Sequence, residues 1–275
     1  MTEIRGAAVS GRFYPADREE LEKQARDFLL LNTKHRAKAV IAPHAGYIFS
    51  GNLAGKVISR LKQEKDFIIL GVNHSGFGNK ICFSSKDFST PIGVVSNNQE
   101  LGKEIEEKLK NAGLDACINE KAHEYEHSIE VELPFLQTSQ KELSVVPVVL
   151  KDLSYEGCIK TAEILSDYSD KCAVIVSSDF THYGLDYGFA PFKENVRNNL
   201  YKLDRGIIDS ILNLDSKRFY EKASESTVCG LYGITILTEI AKLKKWKAEL
   251  IDYYTSGDIS GEWHNAVGYA GIVFS

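Results

Sequence analysis

The sequence predicts an α/β fold: one domain over residues 1–275, built on a central mixed β-sheet flanked by helices. Three observations lead there. Three β-branched apolar runs each end in a histidine, with 39–43 leading into His44, 67–73 into His74 and 173–181 into His182. Short runs of that composition read as strands buried on both faces. Between them lie segments with the apolar spacing of helices that cover a sheet. The chain of 275 residues, 43% hydrophobic and 26% charged, is also long enough to bury a sizeable core and ordinary enough to exclude disordered and fibrous classes.

In chain order, Asp17 to Leu31 places Leu21, Ala25, Phe28 and Leu29 on one helical face. The strand before His44 follows, then a helix over Gly51 to Leu61 and the strand before His74, which together make a βαβ-like unit. Lys80 to Ser96 mixes Pro91 and Gly93 with short apolar pairs, the pattern of a hairpin or edge excursion. Asn98 to Asn111 is a helix stopped by Gly113. A second spans Ser128 to Gln140, kinked or interrupted at Pro134. Val145 to Leu150 is a strand, and its Pro147 favours the sheet edge because proline donates nothing to a ladder. Tyr155 to Tyr168 is helical before the strand that ends near Asp179, and two more helices fill Phe192 to Ala223. Cys229-Gly230 opens a helix through Leu243, and Leu250 to Thr255 and Ala266 to Phe274 close the sheet. No internal repeat, low-complexity tract or linker interrupts this order.

A net charge of −5 and a pI near 5.9 argue against a general nucleic-acid binder, which needs a basic face to neutralise phosphates. No stretch approaches the roughly 20 apolar residues that span a bilayer, and Met1-Thr2-Glu3-Ile4-Arg5 lacks the apolar core of a signal peptide, so a cytoplasmic protein without a membrane partner is expected. Cys82, Cys117, Cys158, Cys172 and Cys229 contain no C-x-x-C pair and fit neither a disulfide framework nor a zinc ribbon. Reduced thiols are expected.

Residues just past the carboxyl ends of buried parallel strands collect in one crevice, so histidines distant in sequence are expected to meet. His44 and His74 each have a glycine two residues on, Gly46 and Gly76, where the backbone can turn tightly. Cys229 stands at a predicted helix start, where the dipole and free N–H groups favour the metal-binding thiolate. Two histidines and a thiolate make a metal site. Taken singly, each histidine reads equally well as structural, and a lone cysteine is more often structural than a ligand.

At these residues the chain resembles the Memo family, including the prokaryotic members known as AmmeMemoRadiSam system protein B. The matching segments are Gly11-Arg12-Phe13-Tyr14-Pro15, Ala42-Pro43-His44-Ala45-Gly46-Tyr47, Leu70-Gly71-Val72-Asn73-His74, Glu126-His127-Ser128-Ile129-Glu130, Ser177-Ser178-Asp179-Phe180-Thr181-His182-Tyr183-Gly184 and Thr227-Val228-Cys229-Gly230. The resemblance implies a fold shared with class III extradiol dioxygenases, non-haem iron enzymes that open catechol rings. Those enzymes hold iron with two histidines and a carboxylate. His44 and His74 match the histidines, while Cys229 stands where the carboxylate belongs. That departure counts against ring cleavage, and the softer thiolate suits copper or zinc as well as iron. By the same resemblance His127 and His182 line the pocket as proton donor or base and oxygen-orienting group, and Asp179 is their partner in or behind the pocket. An oxidoreductase acting on an unknown small molecule is implied. The alternative is a non-catalytic module whose inherited pocket holds a ligand or a peptide segment.

Two competing readings concern the same stretch. Ser128 can start a helix unaided, which would leave His127 merely solvated. His123-Glu124-Tyr125-Glu126-His127 also matches H-E-x-x-H, the zinc-protease signature, which needs a continuous helix with an apolar back. Only Ala122 and Tyr125 are non-polar nearby before Ile129, too few to supply that back.

Overall fold

The computed structural model describes residues 3–30 and 37–275. After a two-residue strand β1 (Ile4–Arg5) comes helix α1 (Arg18–Phe28), whose first turn is capped by the Asp17 side chain accepting from the Glu20 N–H. Leu31, the expected helix end, lies outside the described residues. Strand β2 (Ala39–Ala42) leads to His44, a π-helical turn at Tyr47–Gly51 and helix α2 (Asn52–Ile58). Strand β3 (Asp66–Val72) leads to His74.

The 80–96 region forms three strands: β4 (Ile81–Phe83), then β5 (Asp87–Thr90) and β6 (Gly93–Asn97) as an antiparallel hairpin. Helix α3 (Gln99–Asn111) is followed by strand β7 (Ala116–Ile118), which the sequence pattern did not reveal. The expected helix over 128–140 is broken into a 3-10 turn at Glu130–Glu132 and helix α4 (Leu133–Ser139), with Pro134 in the first turn, where its missing N–H costs nothing. Then come β8 (Ser144–Leu150), α5 (Tyr155–Ser166), β9 (Ala173–Ser177), β10 (His182–Gly184), α6 (Val196–Leu212), α7 (Ser216–Ser224), α8 (Leu231–Leu243), β11 (Ala248–Thr255), α9 (Ser256–Ser260) and β12 (Asn265–Phe274).

Among the described residues twelve strands form one mixed sheet with the main order β1-β5-β6-β8-β3-β9-β2-β12-β10. Its centre, β8-β3-β9-β2, is parallel, whereas β12 runs antiparallel to β2. Alternate residues face opposite sides of each strand. Ala39, Ile41, Ile68, Leu70, Val174 and Val176 therefore pack against α5, α7 and α8. Val40, Ala42, Phe67, Ile69 and Ile175 face α1, α2 and α4. Both faces are covered, which is why these strands read as unbroken apolar runs.

Pro147 is not at the edge. Strand β8 pairs with β3 along its whole length, and on its other side β6 pairs as far as Val145 while β4 takes over from Val148. Pro147 falls in the gap between these two partners, where no N–H is needed, and its carbonyl accepts from Ser84 at 3.3 Å. A proline is tolerated inside a sheet where the neighbouring strand changes identity.

Candidate metal centre

Because β3, β9 and β2 are adjacent and parallel, their carboxyl ends deliver His74, Asp179 and His44 to one place. His44 is buried; its backbone N–H donates to the Asp179 carboxylate at 2.8 Å, and its Nδ1 lies 2.9 Å from Ser177 Oγ. Around His74 the chain turns through Gly76, whose φ of +70° suits glycine. Gly46, after His44, is not left-handed; it lies against the Phe13 carbonyl instead.

The third arm comes from a loop. Buried Glu126 accepts the His74 backbone N–H at 2.8 Å and faces His74 Nδ1 at 2.9 Å, while its other bond is the Ser128 N–H at 2.8 Å. This carboxylate holds the turn that presents His127. Ser128 caps no helix: its hydroxyl is bonded to the β3 backbone at Val72. Arg5, from the N-terminal strand, donates to the carbonyls of His123 and Glu126 and pairs with buried Glu130, which also accepts from Ala8 N–H, Val9 N–H and Tyr14 Oη. The segment 123–130 is thus fastened to the body of the protein by a buried polar network, and Phe13 packs on the His127 ring at 4.9 Å.

The three rings converge, with centroids 5.5 Å apart for His44–His74, 5.3 Å for His44–His127 and 4.8 Å for His74–His127. One nitrogen from each lies within 4.8 Å of the others, a group able to hold a metal ion. Cys229, just ahead of α8, brings Sγ to 3.3 Å from His44 Nε2 and accepts the Asp179 N–H at 3.2 Å. It therefore adjoins the histidine group at His44. Across the pocket His182 Nδ1 is bonded to the carbonyls of Phe180 (3.0 Å) and Thr227 (3.1 Å). The cavity of about 510 Å³ is lined by His44, His74, His127, Asp179 and His182, with Phe13, Phe49, Tyr187 and Tyr269 among its walls and no lysine or arginine among the described residues. All the expected site residues except Cys229 line it directly.

Hydrogen-bond partners assign the ring protons. Carbonyls and carboxylates only accept, so His182 carries its proton on Nδ1, and so does His74 facing Glu126. In the neutral form of each ring the lone pair then lies on Nε2. Burial lowers His44 to about 3 and His127 to about 4, with neighbouring histidines adding to the effect. Both are neutral, as a metal ligand must be. For His74 burial works in the same direction, but the hydrogen bond and charge of Glu126 outweigh it and raise the pKa. Glu126 resists its own burial and drops to about 2, held by His74, His127 and the Ser128 N–H.

Two expectations change. Burial, and next the charge of Asp179, push the Cys229 thiol up rather than down, so in the absence of a cation the helix start does not create a thiolate. The H-E-x-x-H match is not a helix: a 3-10 turn ends at Ala122, and His123 is buried with Nε2 2.9 Å from the Cys82 carbonyl, outside the ring cluster. Of that motif only His127 enters the pocket, while Glu126, which sequence reasoning assigned no role, orients His74. Its signal was its place beside a candidate ligand, since metal-binding histidines are commonly oriented by a carboxylate.

A crevice of histidines at the carboxyl ends of a doubly covered α/β sheet defines a protein with a candidate metal centre at the place where such folds bind ligands. The chain belongs to the Memo family, whose model, described as Memo-like protein, matches residues 5–273. It is 38% identical over 277 residues to a MEMO1 family protein of Archaeoglobus fulgidus, covering 98% of this chain and 99% of that one. It is 35% identical over 280 residues to one of Methanosarcina barkeri, again covering 98% and 99%. In fold it is similar to the crystal structure of an uncharacterized protein, JW3007, of Escherichia coli K12, with a TM-score of 0.53 and 9% identity over 86% of this chain and 100% of that one.

Proposed function

We propose that this Memo family protein holds one first-row transition metal ion at His44, His74 and Cys229, and uses it for redox or oxygen chemistry on a small substrate. The observation that carries the reading is the convergence of one nitrogen from each of three imidazoles, with His74 oriented through its Nδ1 by Glu126 and a thiol beside His44. Metal–nitrogen and metal–sulfur bonds of roughly 2.0–2.3 Å separate neighbouring ligand atoms by roughly 3–3.6 Å, and Cys229 Sγ stands 3.3 Å from His44 Nε2. Imidazole with thiolate suits iron, copper or zinc, and iron is the proposed occupant. When bound, such an ion supplies electron transfer and a positive charge that polarises the substrate.

The chain's own groups do the rest. His74 is oriented by Glu126, and His44 by Ser177 and the Asp179 contact to its N–H. His127 closes the open side of the group as proton donor or acceptor. His182, with Nδ1 bonded to carbonyls, offers Nε2 to the pocket as a base. The aromatic walls, Phe13, Phe49, Tyr187 and Tyr269, favour a small molecule with an apolar or planar body.

Metal analysis of protein purified without oxygen tests the reading, together with iron and copper titrations of Cys229→Ser, His44→Ala and His127→Ala. Weakened binding in the first two supports it, and unchanged affinity in both would sink it. Release of metal by His127→Ala but not by Cys229→Ser would make His127 the third ligand. Loss of turnover in His182→Ala with metal retained supports the base role; turnover surviving loss of both His127 and His182 removes it.

A second reading, a binding module that closes on a ligand or peptide segment without turning it over, is favoured by exposed Ile48, Phe77, Tyr125 and Leu185, each close in sequence to a pocket-lining residue. Metal content with no turnover of any small molecule would select it.

A further inference from the structure

Behind His44 lies a carboxyl group that the proposed chemistry does not use. Glu132 is fully buried at the end of the 3-10 turn, its Oε2 has no hydrogen-bond partner among the described residues, and its Oε1 lies 3.1 Å from Ser177 Oγ. Ser177 also contacts the Ser128 carbonyl at 2.6 Å and His44 Nδ1 at 2.9 Å. A serine hydroxyl has one proton to give and two lone pairs to offer. The Ser128 carbonyl cannot donate, so at 2.6 Å the serine proton must lie between those two oxygens. The two remaining partners then have to donate into the serine lone pairs. For His44 that places the proton on Nδ1. For Glu132 it requires a protonated carboxyl.

We propose that Glu132 is held as a neutral acid whose O–H donates to Ser177, and that this Glu132–Ser177 pair fixes His44 with its proton on Nδ1 and its lone pair on Nε2. Glu132 is thus a positioning residue, and its role at a metal centre rests on the reading above. The protonation itself rests only on the chain. Burial, and the nearby negative charge of Asp179, push the carboxyl in the same direction, outweighing the Ser177 hydrogen bond. The two histidine supports then differ in kind: His74 leans on an ionised carboxylate, His44 on a neutral hydroxyl–acid pair. A carboxylate partner raises the basicity of a ligand histidine, so His74 is made the stronger donor and His44 the more rigidly oriented one.

The test uses the full chain in two arms. On metal-free protein, the infrared difference between wild type and Glu132→Gln is expected to remove a protonated-carboxyl C=O band and leave the carboxylate bands intact. Nitrogen-15 NMR is expected to show His44 as the Nδ1–H tautomer in wild type and Glu132→Gln, whose amide still donates, and as a mixture in Ser177→Ala. On Co²⁺ titration, Glu132→Gln should bind within about threefold of wild type, and Ser177→Ala about 10–100-fold more weakly. Loss of carboxylate bands in Glu132→Gln, or an Nε2–H tautomer for His44 in wild type, overturns the proposal. Should Glu132→Gln fail to fold, the His44 tautomer in wild type and Ser177→Ala decides it. Absence of Co²⁺ binding by wild type would count against the metal centre alone, because the metal-free arm is independent of it.

Discussion

His123 and His127 are four positions apart and have unrelated fates, because one side chain lies against the Cys82 carbonyl and Phe88 while the other enters the pocket. Burial keeps His123 neutral down to about 4, whereas the unfolded chain takes up the proton near the ordinary histidine value of about 6.5. The unfolded state therefore binds more protons between those limits, and stability falls as pH drops through that window. At pH 5 the term is about 2 kcal/mol. Urea unfolding at pH 7.5 and pH 5 should show a pH-dependent loss smaller by about that amount in His123→Gln than in wild type; equal losses would mean that His123 is protonated in the fold. Because neither His123 nor Glu124 belongs to the ring cluster, Glu124→Gln and His123→Ala should leave bound metal unchanged, as read by elemental analysis. Metal lost from both would restore the protease reading.

Short elements are fastened by contacts that no periodicity announces. Strand β1 is two residues long, yet its Arg5, buried against Glu130, ties the N-terminal segment to the loop that carries Glu126 and His127. Removing one partner of a buried pair strands the other's charge, so Arg5→Ala should cost about 3–5 kcal/mol. It should also weaken Co²⁺ binding, since the loop loses its anchor. Urea unfolding and a Co²⁺ titration check both, and wild-type values in each would show that the loop is held by other means. At the end of β3, a Cβ on Gly71 would stand 2.6 Å from Ser128 Oγ and 2.8 Å from Ile129 Cγ1. Gly71→Ala should therefore displace the 128–129 segment at a cost of about 1–3 kcal/mol. A thermal midpoint equal to that of wild type would show that the loop gives way freely.

The whole molecule presents its candidate ligands already gathered, on the ends of strands packed from both faces. Binding to such a preformed site stabilises the native state alone, so Co²⁺ at a hundredfold above its Kd should add about 2.7 kcal/mol. For a domain of this size that is a rise in Tm of about 5 °C. Calorimetry should find the rise in wild type and not in His44→Ala. No rise in wild type despite measured binding would mean that the unfolded chain captures the ion as well. The described residues contain no helix long and apolar enough to cross a membrane.

The local pattern determined the strands that end in His44, His74 and Asp179, the amphipathic helices between them and the crevice where they meet, because burial on both faces writes itself as unbroken apolar runs. It also singled out Cys229, which the fold brings against His44. Other features depend on partners far away in the chain. Pro147 is central because β6 and β4 share one side of β8, and β7 exists because β4 offers it an edge. The burial that keeps Cys229 protonated, the entry of His127 into the ring cluster and the support of His44 by Ser177 and Glu132 are likewise tertiary. Periodicity records which face of an element meets the core, whereas hydrogen bonds and desolvation depend on which groups from distant segments arrive there, and only the assembled structure decides that.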